Sequence, residues 1–214
     1  MSTVFKIKKA AQMKVGFVFE CQDQGPDELV YTYIAKELCK HFEILQENIS
    51  PLGNKHAVIN DSALDVETMF ANKCDYVFIM WDRMPKWKHG TGKCDDDKAT
   101  LTKNLTAAGI DMAKVILCCI DEMLESWLIA DGRGVTNYFQ GLNHLSPKFD
   151  DHKTRAEQTS PKDRLSNYNA RYNEYKDNLG IVKGLGGDYS RAVKWNTSFG
   201  DFVDAVNRIC PQAV

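Results

Sequence analysis

Three unbroken apolar runs constrain this chain more than anything else in it: Val15–Phe19, Tyr76–Trp81 and Val115–Ile120. Each is short for a core helix and has no charged member to turn toward water. That fits strands buried on both faces, as in a parallel sheet covered by helices. Each run also ends in acid. Glu20 follows the first, Asp82 the second, and Asp121-Glu122 the third, with Glu125 one helical turn further on. In open parallel sheets, ligands bind beyond the carboxyl ends of the strands. Carboxylates gathered there repel one another unless a cation neutralises them, and hard divalent cations prefer oxygen ligands. The pattern therefore predicts a carboxylate metal site serving phosphate chemistry.

The segments between the runs read mainly as helices. Pro26-Asp27-Glu28 opens a helix to about Phe42, with proline in the first turn and acids near the positive end of the dipole. His56–Ile59 reads as a short second strand. Asp61 or Ser62 caps a helix through about Lys73, and others are expected over about 97–108 and 122–130. This alternation predicts an α/β core over residues 1–142, with a mostly parallel sheet flanked by helices. Residues 143–214 read as a helical C-terminal extension packed on that core. A helix is expected from Ser160-Pro161 to about Asn178, a glycine-marked loop over 180–187, and a final amphipathic helix opening at Ser198.

Composition excludes more than it selects. With 43% hydrophobic and 26% charged residues the chain is ordinary for a globular protein. No apolar run approaches the roughly 20 residues of a membrane span. The net charge of −2 gives no overall pull toward nucleic acid. Seven cysteines lie scattered without the spacing of a disulfide framework, and the basic first residues lack the apolar core of a secretion signal. The expectation is a reduced, cytoplasmic protein.

The acid placement resembles the Toprim family, the catalytic module of topoisomerases, bacterial primases and overcoming-lysogenization-defect nucleases. That family carries a Glu after its first strand and an Asp-x-Asp after a later one. The chain looks closest to small Toprim-like proteins of bacterial genomes, often near defence genes. Their Glu-x-Trp-Leu-x-Ala-Asp element reads here Glu125-Ser126-Trp127-Leu128-Ile129-Ala130-Asp131. A Pro-Lys before a late helix is matched by Pro161-Lys162, and a Ser-Phe opening of the last helix by Ser198-Phe199. The resemblance covers most of the chain from about Lys14. It implies a Toprim-like (Rossmann-like) fold and a Mg²⁺- or Mn²⁺-dependent nuclease, or related phosphoryl-transfer enzyme, acting on DNA or RNA, with a place in anti-phage defence. Glu20, Asp82, Glu122 and Glu125 are then the metal ligands. Glu20, Asp82, Glu122 and Lys162 are the catalytic set, with Lys162 facing the charge on the scissile phosphate.

Two departures open an alternative. Cys21 stands where the family often has Gly after its Glu, and Met84 takes the place of the second acid of Asp-x-Asp. A thioether is a poor Mg²⁺ ligand. Either Asp95, Asp96 or Asp97 substitutes, or the chain is a catalytically degenerate binding subunit of a defence complex. Other constellations are weaker. Cys74, His89, Cys94 and Cys118 or Cys119 match no zinc spacing. Asp95–Asp97 lacks the rest of a calcium loop. The glycines at 180–187 do not fit a phosphate-binding loop. Trp81, Trp87, Trp195, Tyr168, Tyr172 and Tyr175, near Arg164, Arg171 and Lys176, suit either base stacking or core packing.

Overall fold

The computed structural model describes residues 12–86, 88, 90–142 and 147–211. All three apolar runs are strands: β1 (Met13–Phe19), β4 (Tyr76–Asp82) and β5 (Val115–Ile120). Two short strands, β2 (Phe42–Glu43) and β3 (Ile49–Pro51), both pair with β1. The sheet is parallel throughout, in the order β2-β1-β4-β5 with β3 beside the outer end of β1. Rows of side chains cross it in register, such as Phe17 beside Phe78 and Phe78 beside Ile116. Because successive residues of a strand face opposite ways, the apolar runs supply two cores. Phe17, Phe19, Phe78, Met80, Ile116 and Cys118 fill one, and Val18, Ile79, Trp81 and Cys119 fill the other.

The second core is closed by α2 (Lys55–Asp61), α3 (Ala63–Ala71) and α4 (Cys94–Ala107). Here α3 comes so close to β1 that a Cβ on Gly16 would meet Met69 Sδ at 2.6 Å. The first core is closed by α1 (Pro26–Leu38), α5 (Leu124–Ala130), α6 (Gly132–Gly141), α7 (Pro161–Tyr168), α8 (Glu174–Lys183), α9 (Ser190–Trp195) and α10 (Thr197–Ile209). The helices after residue 160 thus share one core with β1 and α1. At its centre Phe202 of α10 lies 5.7 Å from Phe78, 5.4 Å from Trp127 and 6.5 Å from Tyr31, ring centre to ring centre.

Three expectations change. Residues 56–59 are helical within α2, because Asn54 caps that helix by accepting a hydrogen bond from Ala57 N. The expected helix from 160 breaks near Asn169 and restarts at Glu174. Half of the expected glycine loop is helix: Gly180 lies inside α8, which ends at Lys183, and a turn follows in which Gly186 and Gly187 adopt positive φ. Among the described residues, no helix is long and apolar enough to cross a membrane.

The cysteines also depart from the reduced state expected of them. Cys39 is bonded to Cys210, tying the end of α1 to the end of α10, and Cys94 to Cys119, tying the start of α4 to β5. Partners 171 and 25 residues apart leave no spacing signature to read. Cys21, Cys74 and Cys118 remain free. Denatured without reductant, the protein is therefore expected to offer three thiols to a maleimide, and seven after reduction. Closing so long a loop limits the unfolded chain. Cys39→Ser should accordingly destabilise by about 3–5 kcal/mol, lowering the thermal midpoint by roughly 10 °C. An unchanged midpoint in non-reducing buffer would show that this bond contributes nothing.

Candidate metal centre

The carboxyl edge of the sheet holds a cleft of about 310 Å³ lined by Glu20, Asp27, Asp82, Met84, Lys162 and Glu174, among others. Glu20 leaves β1 and Asp82 ends β4, so neighbouring strands bring the two together. Glu20 Oε2 accepts the Asp82 backbone N–H at 3.0 Å. Asp27 joins them from the first turn of α1, behind Pro26. Glu125 reaches in from α5 and is only 2% exposed. Its Oε1 accepts from Asn178 Nδ2 at 2.9 Å and from the Tyr172 hydroxyl at 3.3 Å. Lys162, in the first turn of α7, lies 3.9 Å from Glu125 and 2.5 Å from Glu174.

The rest of the Glu-x-Trp element explains how Glu125 is held. Ser126 donates to the Asp121 carbonyl at 2.7 Å. Trp127 Nε1 donates to Ser198 Oγ at 2.8 Å, and its ring stacks on Phe199 at 4.6 Å. Asp131, fully buried, caps α6 through Arg133 N and pairs with the Arg133 guanidinium at 2.5 Å. Three polar positions around Glu125 thus lock α5 against α6 and α10.

The electrostatics are those of crowded anions. Burial raises the Asp82 carboxyl well above its ordinary range, and Asp27, Glu20 and Glu125 raise it further against Lys162. Asp27 is pushed up to about 7 by burial and then by Glu125 and Glu20. Glu20 and Glu125 are raised too, mainly by burial, with Lys55 and Lys162 respectively opposing. Burial works against the Lys162 ammonium, yet Glu125 and Glu174 raise its pKa overall. The buried Lys55 donates to the carbonyls of Arg83 at 2.8 Å and Pro85 at 2.6 Å, bracing the loop after Asp82. Asp82 Oδ1 is buried with no hydrogen-bond partner among the described residues.

An orphaned carboxylate oxygen amid three further carboxylates suits a hard divalent cation by donor chemistry. The cage is not preformed: among the described residues no three His, Cys, Asp or Glu side chains converge as a cation-holding group.

Glu122, expected in both the metal and the catalytic sets, lies elsewhere. Its backbone is in the left-handed region (φ 64°), and its Oε1 is bound by Arg83 Nη2 at 2.7 Å. Arg83 also holds Asp121 at 2.7 Å, which Arg155 contacts at 3.1 Å. These pairs join the loops after β4 and β5, helped by Met84 N donating to the Glu122 carbonyl at 2.8 Å. Glu122 is thus a brace for the site's rim. Of the three acids proposed to replace the Met84 position, Asp97 is buried and acts electrostatically on Glu20 and Lys55. Asp96 accepts from Thr91, and Asp95 lines a separate cavity beside Arg83 and Arg155.

Asp27, Lys55, Glu174 and Asn178 were not singled out by sequence, and Tyr172 was named only as a stacking or packing aromatic. Asp27 carried a signal, since the turn after the first strand of a parallel sheet is where ligands sit. Lys55 had none, because its helix read as a strand. Among the aromatic candidates, Trp81 is buried in the core, Tyr168 packs edge-on to Phe149, and Trp195 lies beneath Lys153 and Lys194. Trp87 and His89 lie outside the described residues. With two of its cysteines bonded to each other and Cys118 on the opposite sheet face, the zinc alternative has no ligand set. Compared with known proteins, the chain matches no family model, no curated protein and no solved structure.

Proposed function

We propose that the chain is a Toprim-like, divalent-cation-dependent phosphoryl-transfer enzyme, a nuclease acting on DNA or RNA. The observation that carries this reading is the unpartnered, buried Asp82 Oδ1 among Glu20, Asp27 and Glu125 in a cleft with a single lysine, Lys162, on its wall. Asp82, Glu20, Asp27 and Glu125 would hold Mg²⁺ or Mn²⁺. Bound there, the cation would neutralise charge building on a phosphoryl oxygen. Lys162 is the chain's own cation for the scissile phosphate, fixed by Glu174 and kept charged by Glu125. Asp27, pushed up to about 7, is suited to hold or release a proton near neutral pH, and burial raises Glu20 in the same direction.

A second reading, a non-catalytic subunit of an anti-phage defence complex, is favoured by Met84. It lines the cleft where the resembled family has its second acid. Cytoplasmic placement is expected under either reading, and the two cystines stand against it. The thiol count on protein from freshly lysed cells, alkylated at once, decides that point.

The deciding experiment is cleavage of plasmid, single-stranded DNA and structured RNA with Mg²⁺ or Mn²⁺. Wild type should cut. Glu20→Gln and Glu125→Gln should lose about 100-fold or more. Glu122→Gln, which removes a rim ion pair, should keep activity within about 10-fold. Cutting that survives Glu20→Gln would move the chemistry elsewhere, and no cutting of any substrate would favour the binding subunit.

A further inference from the structure

One exposed aromatic ring stands at the cleft. Tyr175, in the first turn of α8, is 58% exposed and lines the same cleft as Glu20, Asp27, Asp82 and Lys162. It is the one aromatic among the large apolar side chains exposed in the described residues. Burying a ring is among the larger single gains open to a side chain. The inward face of α8 is filled by Asn178, Ile181 and Val182, so core packing does not account for Tyr175.

Its backbone is also braced. Tyr172 donates to Asn178 at 2.7 Å with Glu125 3.3 Å away, Asp177 accepts from Asn173 N at 2.7 Å, and Glu174 holds Lys162. With its backbone held this way, only the side-chain torsions of Tyr175 remain to be ordered when something stacks on the ring.

Resting on the nucleic-acid reading above, we infer that Tyr175 is a base-stacking platform that makes single-stranded nucleic acid the ligand of this cleft. The cleft wall offers one lysine against several carboxylates, so phosphate attraction alone supplies little hold. Stacking on an aromatic face supplies it without regard to sequence. In a duplex the bases stack on one another, and only an unpaired base can reach a ring at the level of the cleft. Tyr175 is thus a positioning residue, setting which nucleotide lies beside Asp82 and Lys162.

The test is fluorescence anisotropy with labelled oligothymidylate, oligouridylate and a blunt duplex of equal length, each of roughly 12 nucleotides. Ca²⁺ is present to neutralise the carboxylates. Wild type should bind the single strands more tightly than the duplex. Tyr175→Ala should weaken single-strand binding about 10-fold or more, Tyr175→Phe should stay within about 2-fold, and the duplex should not respond. Tyr175→Leu, which keeps apolar bulk without a ring, should behave like Ala. The two strands rank a DNA against an RNA single strand as the ligand. The inference is overturned if wild type prefers duplex, binds neither strand, or binds equally well as Tyr175→Ala. Cleavage scores the enzyme reading separately: a protein that binds through Tyr175 but never cuts keeps this inference and loses the nuclease. One that cuts duplex unaffected by Tyr175→Ala does the reverse.

Discussion

Asp82→Asn should make the metal-free protein more stable and remove its metal-dependent activity. Both effects follow from one atom. Asp82 Oδ1 is buried without a partner, and Asp27, Glu20 and Glu125 all oppose its ionisation. The amide keeps the shape and removes the charge. Removing a buried charge that burial and three neighbouring carboxyls all oppose should raise the thermal midpoint by several degrees. The same substitution takes away the central cation donor, and cleavage should fall about 1,000-fold. Differential scanning calorimetry with and without Mg²⁺ reads both halves. Mg²⁺ should raise the wild-type midpoint and leave the variant unmoved. A variant that is less stable than wild type in chelator, or still stabilised by Mg²⁺, would show that Asp82 is held by something other than a cation.

The second large effect is on pH. Four carboxyls have folded-state pKa values raised above their unfolded ones, Asp27 to about 7. Between roughly pH 4 and 7 the folded protein therefore binds more protons than the unfolded chain, and stability falls as pH rises. The contribution is fully present below the unfolded values and lost once pH passes the folded ones. Each proton of difference gives a slope of about 1.4 kcal/mol per pH unit. His152 acts oppositely, since burial lowers its pKa and its stabilisation is lost on acidification below about 6.5; the lowered Asp188 and Glu157 oppose too, but mainly below about pH 4.5, at the acid end of this range. Urea midpoints across this range should show the metal-free protein most stable on the acid side of neutrality. Saturating Mg²⁺ should remove most of the slope, because the cation takes the place of the protons. A flat profile without metal would mean that the carboxylates do not crowd one another in solution.

The three long strands and three of the four clustered acids were legible because they are local facts. An apolar run followed by an acid states both the strand and its end, as at Glu20 and Asp82. Glu122 misled because its position is right and its rotation is wrong: a left-handed backbone at that residue turns the side chain to Arg83, and nothing in the residue order announces positive φ. Asp27 was visible as a helix-dipole acid, which hid its second role. Lys55 and Asn178 enter only through tertiary packing, from helices whose register with the sheet is set by the whole core. The cysteine pairs were hidden for the same reason, as the partners meet only once α1 lies beside α10 and α4 beside β5.

The position of α10 has a consequence for how the protein comes into being. Phe199 and Phe202, near the end of the chain, fill the space between the first strand's helix and Trp127. During synthesis that space stays open until residues 197–209 have left the ribosome, since no earlier segment supplies those rings. Ser198, which receives Trp127 and the Asp121 N–H, arrives with them. Glu125 is thus brought to its final setting by a helix translated well after it, and a chain that stops before that helix lacks the groups that hold Trp127 beside Glu125.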